Sequence, residues 1–191
     1  METSAAEENA ETSLLCDIQQ LQGLCERMDS EAFLPLNPDE LGPKFPRRIL
    51  SLNSLVDKAT EKAKEGGFVH QDKRSPYIEQ DLIGQYIWFG KERVHAWFGV
   101  SFYLWAKHRE TPVWLIFWPN ANIERLRQAL EPLQQTEPPR VIDLDEREPY
   151  PYSGTMNVPI DIKTGVEEDE VLEAVVERIR YVAELIGSET N

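Results

Sequence analysis

The chain has 191 residues, 41% of them hydrophobic and 28% charged, with 34 acidic against 20 basic side chains and a formal net charge of −14. That length suits one ordinary domain with a proper core, and the composition excludes disordered, collagen-like and disulfide-dense classes. No window approaches the roughly 18 apolar residues of a membrane helix, the first twelve residues lack the basic and apolar regions of a secretory signal, and a soluble, cytoplasmic protein is expected.

Residues 1–12 (METSAAEENAET) offer no apolar cluster and are expected to be a disordered acidic N-terminus. A single α+β domain is expected over 13–187, followed by a flexible tail at 188–191. Its first helix runs from about Ser13 to Met28, with Leu14, Leu15, Ile18, Leu21, Leu24, Cys25 and Met28 on one stripe. The two cysteines, Cys16 and Cys25, are nine positions apart in that helix. At about 100° per residue they face roughly opposite ways and cannot bridge. With three scattered histidines, His70, His95 and His108, a Cys/His zinc site is also excluded.

Residues 29–46 contain four prolines and read as an extended connector. A second helix spans about 47–65, with lysines near its C-terminal end and a stop at Gly66-Gly67. The period then changes from 3.6 to 2. Strands are expected at 83–89, 94–102 and 113–118, joined by a turn at Gly90–Arg93 and a short helical turn at 103–109. In the second strand Val94, Ala96, Phe98, Val100 and Phe102 share one face, and His95, Trp97, Gly99 and Ser101 the other. The third, a nearly continuous apolar run, is expected to be central and covered on both faces.

A helix over about 122–135 contains Pro132, where it ends or kinks. A short strand at 141–144 and a last strand at 158–162 follow. The final helix, about 167–186, opens on four acidic residues that complement the helix dipole, and carries one stripe from Val171 to Ile186. The expected fold is thus α+β. A small, mostly antiparallel sheet, the Trp-rich three-strand meander plus a later strand, is packed by three to four helices.

Charge is uneven along the chain: −9 over residues 1–43, +5 over 44–127 and −10 over 128–191. All five tryptophans lie in the basic third, between Trp88 and Trp118. Most are expected to be core, since each large aromatic buries about 150–250 Å². Trp97, beside His95 and close to Lys91 and Arg93, is the exception. Those four residues form the candidate binding surface, because exposed aromatics among basic residues stack bases or grip a protein partner.

The runs Ile87-Trp88-Phe89-Gly90, Ala96-Trp97-Phe98-Gly99-Val100, Leu104-Trp105-Ala106-Lys107-His108 and Thr111-Pro112-Val113-Trp114-Leu115 resemble a region found C-terminal to the nuclease core in bacterial PD-(D/E)XK nuclease superfamily proteins. The resemblance covers roughly residues 48–187. It implies an accessory region without the nuclease core, serving recognition or regulation in a bacterial or phage context.

A second reading keeps catalysis. PD-(D/E)XK chemistry needs two acids to hold Mg²⁺ and a lysine to activate water, the second acid and the lysine two apart on a strand. Asp161-Ile162-Lys163 has that spacing, and Asp143 or Asp145 would supply the first acid. Magnesium is the cofactor only under this reading; otherwise no cofactor or metal site is expected. A third reading is an acidic inhibitor that mimics DNA. The residues favour the first: a non-catalytic binding domain for a protein or nucleic-acid partner, without a membrane, rather than an enzyme.

Overall fold

The computed structural model describes residues 20–21, 45–71, 77–79, 81–90, 93–119, 123–136 and 140–188. The chain divides into two units, Met1–Pro43 and Lys44–Asn191. Of the first, only Gln20 and Leu21 are described, and both are helical. The cysteines, residues 29–44 of the connector expected over 29–46 and the rest of the first expected helix lie outside the described residues; Phe45 and Pro46, expected in the connector, are helical.

The second unit is α+β. Helix α1 (Phe45–Glu65) carries Lys62 and Lys64 in its last turn. It closes with a Phe68 N–H to Ala63 bond of 2.9 Å, across a Gly67 whose φ of +73° suits a residue without Cβ. Strands β1 (Val69–His70), β2 (Tyr77–Glu79), β3 (Leu82–Phe89) and β4 (Val94–Ser101) lead into helix α2 (Phe102–His108) and strand β5 (Val113–Phe117). Helices α3 (Ile123–Ala129) and α4 (Glu131–Gln134), strands β6 (Ile142–Asp143) and β7 (Met156–Ile160) and helix α5 (Glu168–Ser188) complete it.

The meander β3-β4-β5 stands within about a residue of its expected bounds, while the later strand, expected at 158–162, runs over 156–160 and leaves Asp161 and Lys163 past its end. The sheet is larger than expected. Its order is β1-β3-β4-β5-β7-β6, every pairing is antiparallel, and β2 also pairs with β3. Strands β1 and β2, of two and three residues, are too short to leave a period in the sequence. The expected helix over 122–135 is two, parted at Leu130, because Pro132 is tolerated only in the first turn of a new helix. On the sheet's outer side, β6 covers only Met156 and Asn157 of β7, and Pro159 follows opposite Trp114.

One face of the sheet holds the main core. Leu55, Val56, Ala59 and Ala63 of α1 and Val175, Ile179 and Val182 of α5 pack on Ile87, Phe89, Phe98, Leu115 and Val158, all buried. Between α1 and α5 run the ion pairs Lys58–Glu168 (2.5 Å) and Lys62–Glu173 (3.5 Å). Exposed pairs of this kind contribute about 0–1 kcal/mol, so apolar packing sets the position of α5. The buried polar Gln85 donates to Thr60 Oγ1 at 2.6 Å, and Thr60 donates to the Val56 carbonyl at 2.9 Å, so burial leaves neither side chain unanswered.

The opposite face carries a second, smaller core of Leu82, Trp97, Leu104, Trp114, Ile116, Leu144 and Tyr152. It is roofed by α2 and by a strap over 144–155. Here Gly84 stands directly opposite Gly99, and the Trp97 ring lies over the pair. Among the described residues no helix is long and apolar enough to cross a membrane.

His108, at the end of α2, lies 6.0 Å from the Trp114 ring, and its Nε2 has no partner among the described residues. Burial first, and then the neighbouring Lys107 ammonium, hold the His108 pKa below its usual 6.5. As pH falls through 6.5 the unfolded chain takes up the proton before the folded one does, so stability declines down to the folded pKa and then levels. Urea midpoints at several pH values between 8 and 5 are expected to fall in this window for the wild type. The decline should be shallower for His108→Gln; equal slopes would assign the effect to other groups.

Candidate functional site

Strand alternation places Leu82, Gly84, Tyr86 and Trp88 of β3 on the second face, with His95, Trp97, Gly99 and Ser101 of β4 and Trp114 and Ile116 of β5. This face is divided in two. Toward Ser101 it is closed and held by a polar latch. The Tyr152 hydroxyl donates to Asp81 Oδ2 at 2.5 Å and lies 2.7 Å from Ser101 Oγ. Ser101 Oγ in turn accepts the Leu104 N–H at 3.1 Å and caps α2. The same Asp81 oxygen accepts the Tyr103 N–H at 2.8 Å. Burial, then Asp81, push the Tyr152 hydroxyl far above the usual tyrosine range.

A second latch lies outside the first. The Tyr103 hydroxyl and the Lys107 ammonium each reach Glu148 at 2.5 Å. Those two hydrogen bonds, Lys107 first, hold the Glu148 carboxyl below its usual value. The Tyr103 and Tyr152 rings stack at 4.6 Å. Serine, aspartate and tyrosine in contact invite comparison with an acid–base site. Ser101 is fully buried and Tyr152 is 2% exposed, however, so neither meets a substrate. The group is a fastening for the strap.

Toward Phe89 the face is open. The ladder sets His70 of β1 opposite Trp88 of β3, and Trp88 opposite His95 of β4. Trp118, one residue past β5, continues the row in line with His95. At about 4.8 Å between strands, four rings in a row span roughly 14 Å. His70 and His95 are exposed, and Trp88 and Trp118 are partly so. Tyr86, 36% exposed, stands beside the row with its ring 5.7 Å from that of Trp118. The two tryptophan rings are held in place. Trp88 Nε1 donates to His95 Nε2 at 2.6 Å, fixing that nitrogen as an acceptor, and Trp118 Nε1 donates to the Pro151 carbonyl at 3.0 Å. The result is a pre-ordered aromatic strip that no described helix covers.

The residues read from the sequence fall differently. His95 is in the strip. Arg93, exposed and with a positive φ of 53°, sits in the β3–β4 turn beside the middle of the row, and Lys91 lies outside the described residues. Trp97 corrects the expectation of an exposed ring: it is 0% exposed, because the two glycines leave room for the indole and the strap closes over it. Four strip residues are missing from the sequence reading, His70, Tyr86, Trp88 and Trp118, and the alternation of β3 is the signal that points to Tyr86 and Trp88.

The nuclease candidates are not brought together. Asp143 binds Arg127, Asp161 binds Arg140 at 2.8 Å, and Lys163 binds Glu170 at 3.1 Å. Asp143 pairs with Met156, five residues before Asp161, which separates the two acids by roughly 16 Å along the strand. Among the described residues no group of three or more His, Cys, Asp or Glu is placed to hold a metal ion. No family model, curated protein or solved structure matches the chain.

Proposed function

We propose that the protein is a non-catalytic recognition domain that takes a protein partner on the strip of His70, Trp88, His95, Trp118 and Tyr86. The observation that carries this reading is the division of the second face. One half of an aromatic surface is roofed and latched, while the other is left open with its tryptophan rings fixed. Preordered Trp and Tyr side chains supply large contact areas with little entropy to lose on binding, which is why they dominate binding hot spots.

A protein partner is favoured over nucleic acid by charge. Stacked bases come with phosphates, and a chain of net charge −14 repels them. The spacing of aromatic residues that resembles the accessory region of PD-(D/E)XK nuclease superfamily proteins supports the same kind of role, recognition beside another protein's chemistry.

The test is a photoreactive phenylalanine analogue placed at Tyr86 and, as a control, at Leu50 on α1, which is 69% exposed. In cells the Tyr86 position is expected to give a defined, nuclease-resistant polypeptide adduct that the Leu50 position does not. Trp118→Ala should reduce it about tenfold, the effect of removing a hot-spot aromatic. A nuclease-sensitive adduct, the same adducts from both positions, or none from Tyr86, would overturn the reading.

A further inference from the structure

Next to Trp118 in the chain, Pro119 lines an open groove of about 890 Å³ whose apolar lining includes Ile123 and Leu144. Strip and groove are joined by the strap: Pro151 receives the Trp118 N–H, and Gly154 on the groove wall lies against Pro119, where a methyl group would be 3.5 Å from Cγ. The groove also presents Glu124, Asp143, Asp145 and Glu146. Arg127 is bound to Glu124 and Asp143, and Arg147 to Asp145. Four carboxylates therefore face two guanidiniums, and an excess of two negative charges remains beside an aromatic surface.

We infer that strip and groove together take an extended, arginine-bearing segment of a partner protein, with one guanidinium stacked on the Tyr86 and Trp118 rings and others paired with the groove carboxylates. The inference rests on the strip being a protein-recognition surface. Arginine is the side chain that satisfies both halves. Its planar cation stacks on Trp and Tyr faces, and its fork of donors matches a carboxylate. Lysine supplies the charge with a more strongly hydrated head and no plane to stack.

The experiment uses the full chain and three fluorescein-labelled octapeptides in which Gly alternates with Arg, Lys or Glu, with anisotropy read at 50 and 200 mM NaCl. The arginine peptide is expected to bind, and to bind several-fold tighter than the lysine peptide, the margin of a desolvated cation–π contact. The glutamate peptide should not bind. Glu146→Lys and Glu124→Lys should each weaken the arginine peptide and flatten its salt dependence. Trp118→Ala should weaken it about tenfold; if that variant melts early, Tyr86→Ala, on a more exposed ring, carries the same readout. Equal binding of the arginine and lysine peptides, indifference to both aromatic substitutions, or no binding of the arginine peptide overturns the inference. The Tyr86 adduct still decides the recognition reading in each of those cases, and a nuclease-sensitive adduct overturns both.

Discussion

Trp97→Ala is expected to be the most damaging single truncation in the second core, costing about 3–5 kcal/mol. The indole is 0% exposed and packs with Leu104, Trp114 and Tyr152, so its removal leaves a cavity between the sheet and the strap. Against a total stability of about 5–15 kcal/mol for a domain, a loss of that size leaves a marginal fold, with a melting temperature lower by roughly 10 °C or more. Trp97→Phe should cost distinctly less, because the indole N–H has no partner among the described residues to lose. Thermal melts of both variants check this. Near-wild-type melting of the alanine variant would mean that the strap does not close over the ring in solution.

The second large effect is expected from a methyl group. In Gly99→Ala the new carbon would stand 2.4 Å from the Ile83 carbonyl oxygen, 2.5 Å from Gly84 Cα and 2.8 Å from the Trp97 ring. The first two are backbone atoms of the neighbouring strand, so relief requires β3 and β4 to part in the middle of the sheet. A loss of about 3 kcal/mol, the upper end for overpacking, is expected from urea unfolding. Gly187→Ala is the matched control. Nothing lies within 4 Å of that position on α5, and alanine in place of a helical glycine should be neutral or stabilising by up to about 1 kcal/mol. If the two substitutions cost the same, the close approach of the strands is not a constraint.

Much of the fold is legible in the sequence, for local reasons. The α5 stripe, the lysines before Gly66, the alternation of β4 and the uniform apolar run of β5 each report on immediate neighbours, and each element stands close to its expected bounds. What escapes is what arrives from a distance. His95 and Ser101 on the face of Trp97 suggested an open surface, and they were a fair guide to only half of it. Ser101 is buried because Tyr152, 51 residues on, bonds to it, and the strap that brings Tyr152 carries no period of its own. Of the strip only His95 is read from the sequence. Alternation along β3 holds the signal for Tyr86 and Trp88, but His70 belongs to a two-residue strand, and Trp118 joins the row only through β4–β5 register. The acid-x-lysine spacing at Asp161 and Lys163 describes a shared strand direction and says nothing of partners; the fold gives each a different ion pair.

Pro159 has a consequence for how the molecule meets copies of itself. An exposed sheet edge is a template on which another chain can add a strand, and the addition proceeds by backbone N–H groups offered in sequence. Beyond the two residues covered by β6, this edge offers a proline that has no N–H to give. A strand added there would lose its ladder at once, so growth into an aggregate from this side is blocked by one residue.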